Sequence, residues 1–152
     1  STGMRISEVI GIRVKDLQEN CTQLWVGESL SRGVRKSTKN YKARTIKLTP
    51  RLTELFNARI NNADGPEDLV FKSPEGCVID DGNFRNRAWV TCLKNAGVAY
   101  RKPYITRSSF ISNALITMHP TTVAQITGHN LKTLYRDYAG YIESSPGLPE
   151  MF

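Results

Sequence analysis

Cysteine is scarce in this 152-residue chain. Cys21, Cys77 and Cys92 are the only three, and none falls in a C-x-x-C spacing. An odd number without paired spacing excludes a disulfide framework and a thiolate zinc site, and it predicts free thiols, buried or half-buried, in a reducing cytosol. No apolar run approaches the roughly 18 residues needed to span a bilayer, and no secretory leader is visible. Internal repeats and low-complexity tracts are lacking too. Acidic residues are in deficit, 14 against 21 lysines and arginines, which leaves a net charge of +7 and a pI near 9.5. That balance favours a polyanionic partner, nucleic acid or an anionic surface. What is present is ordinary: 39% hydrophobic and 23% charged residues, enough for one packed domain or most of one. The chain opens at Ser1 rather than Met, and its first residues read as the middle of a motif, so a fragment of a longer protein is expected.

The pattern of apolar residues predicts an α+β domain, mainly helical with a small antiparallel sheet near the start. Ile6, Val9 and Ile10 have helical spacing to about residue 12. Residues 22–30 are rich in β-branched and aromatic side chains, as strands are. Lys39-Asn40-Tyr41-Lys42 reads as a hairpin turn, with Arg44-Thr45-Ile46-Lys47-Leu48 as the returning strand. Thr49 and Pro50 suit the cap and first position of a helix whose apolar stripe is Leu52, Leu55, Phe56 and Ile60. Leu69-Val70-Phe71 is a short buried segment, followed by a turn at residues 73–76. A helix starts at Asp80 or Asp81 and runs towards Asn95, where Gly97 ends it. Thr106 caps a further helix with Phe110, Ile111, Ala114 and Leu115 on one face. Pro120 opens the next, Gly128 closes it, and the last runs from Asn130 to about Tyr141.

The chemistry is concentrated at the two ends of the chain. His129 lies 22 residues after Arg107, Tyr138 lies nine after His129, and Arg5 sits near the N-terminus. Two guanidiniums, an imidazole and a phenol can attack a phosphodiester without a metal. A guanidinium is a planar fork matched to two phosphate oxygens and charged at any working pH. An imidazole adds a donor, and a phenol can be the nucleophile. Glu8, one helical turn after Arg5, is placed to hold its guanidinium. Composition alone leaves rivals: Tyr135 and Tyr141 flank Tyr138, and Lys36 and Lys42 flank Lys39.

Thr2-Gly3-Met4-Arg5-Ile6-Ser7-Glu8 resembles the first-arginine motif of the tyrosine recombinases, the phage-integrase family. Tyr104-Ile105-Thr106-Arg107 sits where that family has its His-x-x-Arg box. Ile126-Thr127-Gly128-His129 is similar to its Leu-Gly-His segment, and Tyr138 falls at its nucleophile position. Each motif is weak alone; the order and spacing together carry the resemblance over nearly the whole chain.

The resemblance implies a catalytic domain over residues 1–143, lacking its first helix or so, with a tail over 144–152. It implies that Tyr138 attacks a DNA phosphate and forms a 3′ link, that Arg5, Arg107 and His129 bind the non-bridging oxygens, and that Lys39 protonates the leaving 5′ oxygen. The partners implied are double-stranded DNA and three further copies in a tetramer on it. The location implied is the cytoplasm of a prokaryotic cell, on the nucleoid when DNA is bound. No metal or cofactor is implied. Lys36, Lys42, Arg44, Arg101, Lys102, Lys132 and Arg136 are expected along the DNA backbone, where contacts give affinity and salt dependence rather than sequence. Arg85 and Arg87 are candidates for a groove.

One position departs from the family. Tyr104 stands where histidine, sometimes lysine, is usual. A phenol donates to phosphate but is a poor base near neutrality. One alternative is therefore a DNA-binding module of the same fold with impaired catalysis; another is a type IB topoisomerase-like enzyme, which shares the site chemistry.

Overall fold

The computed structural model describes residues 2–37 and 43–142. The chain divides into two compact units, one of residues 4–105 and one of residues 1–3 with 106–152.

The larger unit begins with helix α1 (Ile6–Ile10). Strands β1 (Leu17–Gln18), β2 (Gln23–Val26) and β5 (Arg44–Lys47) form an antiparallel sheet in the order β1-β2-β5, and β3 (Glu28–Ser31) pairs with β4 (Val34–Ser37) in a separate hairpin. The small antiparallel sheet expected is thus present, and among the described residues a separate hairpin accompanies it. The strand expected over residues 22–30 divides at Gly27, and β5 returns to β2, with Val26 opposite Arg44 and Leu24 opposite Ile46, rather than to β4. The described hairpin closes at Arg32 and Gly33, which both have positive φ (50° and 74°), as a two-residue type I′ turn requires. The expected turn at residues 39–42 lies outside the described residues.

Alternation places Leu24 and Val26 of β2, Leu30 of β3 and Ile46 of β5 in the core of this unit, with Met4, Ile10, Ile12 and Cys21. Burial pushes the Cys21 thiol up. Cys77 and Cys92, expected to be at least half buried, are exposed, because they lie in a turn and on a helix with no buried face.

Helix α2 (Pro50–Ile60) starts as expected: the Thr49 hydroxyl accepts from Leu52 N, and Pro50 fills the first turn. Of its apolar stripe only Phe56 is buried, tilted against Phe71 at 5.9 Å, while Leu55 is exposed. The helix capped by Asp80 is continuous to Asn95 but not uniform. An α-turn, α3 (Asp81–Asn83), passes through a π-helical stretch (Phe84–Trp89) into α4 (Val90–Asn95), and none of its residues is buried. Such a π stretch carries an extra residue within the turn and shifts the helix face, so Phe84 and Trp89, 6.3 Å apart, meet.

The smaller unit holds α5 (Ile105–Thr117), α6 (Pro120–Thr127) and α7 (Leu131–Tyr138), then a 3₁₀ turn (Ala139–Tyr141). Helix α5 starts at Ile105, one residue before the Thr106 expected to cap it. Ile111, Ala114 and Leu115 of α5 pack with Val123, Ala124 and Leu134. Gly128 ends α6 in the left-handed conformation (φ 68°) and Asn130 caps α7 through Lys132 N. This sharp reversal sets α7 back onto α6. No described helix is long and apolar enough to cross a membrane.

Candidate active site

In the larger unit the first-arginine motif is built around one buried carboxylate. The Glu8 side chain is 1% exposed. Its Oε2 accepts from Arg5 N at 3.0 Å and its Oε1 from Arg5 Nη1 at 3.0 Å. An arginine side chain has no acceptor, so the return bond of a capping box is missing and Glu8 alone caps α1. Arg44 of β5 donates its fork to the same group, Nη2 to Oε2 at 2.9 Å and Nη1 to Oε1 at 3.4 Å. The Arg44 side chain is 10% exposed and that of Arg5 27%.

Burial pushes the Glu8 carboxyl up, but the hydrogen bond and charge of Arg44, with the backbone bond and charge of Arg5, outweigh it and hold it below the ordinary 4.5. A carboxyl depressed on folding stabilises the protein above its unfolded value, and that stability is lost as pH falls through the folded value. Glu8→Gln is therefore expected to flatten the loss of stability below pH 4.5, measured by denaturant titration across that range, while lowering stability at neutral pH.

In the smaller unit Arg107 is buried, 2% exposed. Helix α5 aims it at the end of α6, where Nη2 donates to Thr127 O at 2.9 Å and Nη1 donates to Gly3 O. Nη2 also lies 3.2 Å from His129 Nδ1 and 3.3 Å from Nε2. Near-equal distances set it across the ring rather than on one lone pair. The tautomer follows from Thr127. Its hydroxyl donates to Val123 O at 2.6 Å, so it can only accept at His129 Nδ1, 2.9 Å away. Nδ1 therefore carries a proton, and Nε2 holds the lone pair of the neutral ring or the second proton of the cation.

Tyr138 ends α7, half-buried against the helical core. Its ring meets that of His129 edge-on at 6.3 Å, and its hydroxyl donates to Ser108 Oγ at 3.4 Å. Tyr135 and Tyr141 are exposed.

Sequence reasoning passed over Gly3. Its φ is +62°, and a Cβ there would lie 2.4 Å from Phe110 Cδ1 and 3.0 Å from Thr127 Cγ2. Only glycine fits, and its carbonyl is one of the groups that orient Arg107. Gly3→Ala is expected to cost about 2–5 kcal/mol in thermal unfolding, the sum of left-handed strain and overpacking. The available signal was a glycine two residues before a motif arginine; what it packs against was not readable.

Lys36 is exposed on β4, and Arg101, Lys102 and Tyr104 are exposed before α5. The Arg101 carbonyl accepts from Trp89 Nε1 at 2.6 Å. Tyr104 is 55% exposed. On α7, Lys132 is exposed, and Arg136 pairs with its neighbour Asp137 at 2.6 Å. Lys39 and Lys42 lie outside the described residues.

The model of the phage integrase family matches residues 1–141. The chain belongs to the phage integrase family. Among solved structures it is similar to the Tn1549 transposon integrase in complex with circular intermediate DNA (21% identity, TM-score 0.78, covering 95% of this chain and 53% of that one). It is also similar to XerA recombinase (19%, TM-score 0.71, 95% and 49%) and to XerH site-specific recombinase bound to difH substrate (20%, TM-score 0.61, 91% and 39%). These identities show a shared fold, that of the tyrosine recombinases. Comparison with curated proteins returned no match. The integrase-family chain spans about half the length of the Tn1549 and XerA structures, and less of XerH.

Proposed function

We propose that this integrase-family chain carries the catalytic residues of a site-specific recombinase that cuts and rejoins double-stranded DNA through a 3′-phosphotyrosine. Tyr138 Oη loses its proton to solvent and attacks phosphorus, the new O–P bond replaces the bond to the 5′ oxygen, and Lys39 gives that oxygen its proton. Attack by the 5′ hydroxyl of another strand reverses the step, so bond energy is conserved without ATP. Arg5, Arg107 and His129 neutralise charge on the non-bridging oxygens, the largest expected contribution to catalysis. Residues 1–143 form the catalytic segment and 144–152 a tail. A tetramer on DNA in a prokaryotic cytoplasm belongs to the same proposal.

The observation that carries this reading is the grouping of Arg107, His129 and Tyr138 in one packed helical unit, with the phenol edge against the imidazole. Arg107 is buried, so a phosphate reaches it only where neighbouring groups yield.

Tyr104 favours the second reading, a DNA-binding module without turnover. One experiment separates them. The full-length protein is incubated with a pool of nicked random-sequence duplexes, and SDS-resistant complexes are recovered. The recombinase reading expects a covalent adduct that peptide mapping assigns to Tyr138. Salt-sensitive retention of duplex with no covalent species would establish the binding module.

A further inference from the structure

We infer that Arg44 is a positioning residue, which acts through Glu8 to keep the charge of Arg5 available to the phosphate; the inference rests on the proposed role of Arg5. It replaces the expectation that Arg44 lies on the DNA backbone. The reason is the geometry of a single carboxylate. Both oxygens of Glu8 accept from Arg44, and both also accept from Arg5, one from the side chain and one from the backbone. The group is 1% exposed and Arg44 only 10%, so this exchange of charge takes place away from water, where it is strongest.

The charge balance gives the arrangement its consequence. Two guanidiniums and one carboxylate sum to +1. Arg44 is the more buried cation and spans both oxygens as a fork. Arg5 is the more exposed, and among the described residues its side chain gives only Nη1 to Glu8. Arg44 therefore neutralises Glu8, and the remaining positive charge is left on Arg5. Without Arg44 the trio sums to zero. Glu8 then has Arg5 alone as its counter-charge and holds that guanidinium on itself, against any incoming phosphate. Strand β5 adds a second consequence. Arg44 is the first residue of the strand that follows the segment bearing Lys39, so the bond to Glu8 also fixes the start of that strand to the first-arginine motif.

The test uses the full-length protein and a duplex recovered by covalent trapping. Adduct formation is followed at saturating protein, and duplex affinity is followed against salt, for wild type, Arg44→Met, Arg44→Lys, Glu8→Gln and the Glu8→Gln/Arg44→Met double variant. Arg44→Met is expected to slow adduct formation at saturation at least tenfold and leave the salt slope unchanged. Arg44→Lys, which keeps charge but not the fork, is expected to recover part of the rate. The decisive comparison removes the carboxylate: Glu8→Gln and the double variant are expected to react equally fast, because the group through which Arg44 acts on Arg5 is then gone. This pair also covers the case in which Arg44→Met alone fails to fold, since neither member buries an unpaired carboxylate. A double variant tenfold slower than Glu8→Gln would overturn the inference. So would an Arg44→Met protein with unchanged saturated rate and a salt slope reduced by about one, the signature of a lost phosphate contact. Failure of wild type to form any adduct would instead bring down the proposed function, and the inference with it.

Discussion

Tyr138→Phe is expected to bind duplex DNA as wild type does and to form no covalent adduct, a loss on the order of a million-fold, as for removal of other nucleophiles. Phenylalanine keeps the ring that packs half-buried against the Ile111, Val123 and Leu134 cluster and removes only the oxygen. The lost bond to Ser108, at 3.4 Å, is long and partly exposed, so the fold should lose at most about 1 kcal/mol. Activity and stability therefore separate, which makes the variant informative. The flanking phenols are the controls. Tyr135 is one turn back on α7 and 44% exposed, and Tyr141, past the helix end, is 53% exposed. Neither ring is paired with an imidazole among the described residues, whereas that of Tyr138 meets His129. Their phenylalanine variants should trap DNA as efficiently as wild type. An adduct that persists in Tyr138→Phe, or maps to residue 135 or 141, would remove Tyr138 from the reaction.

How far the sequence could be read depended on the kind of signal. Local chemistry was legible. Thr49-Pro50, Asp80, Pro120 and Gly128 start or end helices where expected, because a cap or a left-handed glycine acts within a few residues. The apolar face of α5 was legible for the same reason. Pairing was not. Arg44-Thr45-Ile46-Lys47 is a strand by composition, but its partner is chosen by which apolar face it covers, and it covers β2. Arg32-Gly33 is a weak hairpin signal beside Asn-Gly or Asp-Gly, and it was passed over in favour of Asn40. The motif positions Arg5, Arg107, His129 and Tyr138 were chosen by their order and spacing. The groups that hold them could not be: Gly3 O, Thr127, Ser108 and Arg44 are joined to them by side-chain direction and burial. A charge rule sent Arg44 to DNA because it is basic and beside a hairpin. The carboxylate that its guanidinium meets is buried, and burial is not read from charge.

Arg107→Lys should nearly abolish adduct formation, and the reason lies in what one guanidinium joins. The described bonds of Arg107 reach Gly3 O, Thr127 O and the His129 ring, and so tie residue 3 to a segment more than a hundred residues later in the chain. An ammonium is a single point with three donors and cannot span them. Lysine keeps the charge, so electrostatic attraction of DNA should fall little. What fails is orientation: a carbonyl at residue 3 or 127 is left without its donor, at about 1–3 kcal/mol for each buried group, and His129 loses the cation across its ring. Loss of one aimed donor to a developing oxyanion costs about 100- to 1000-fold, and His129 is displaced together with Arg107, so a fall in adduct rate of at least about 1000-fold is expected. Stability should drop by a few kcal/mol. Double-mutant analysis with His129→Gln checks the coupling. If the two residues act as one device, the double variant reacts no more slowly than Arg107→Lys alone. If the two rate losses multiply, each residue works independently, and the shared geometry of Arg107, Thr127 and His129 has no catalytic meaning.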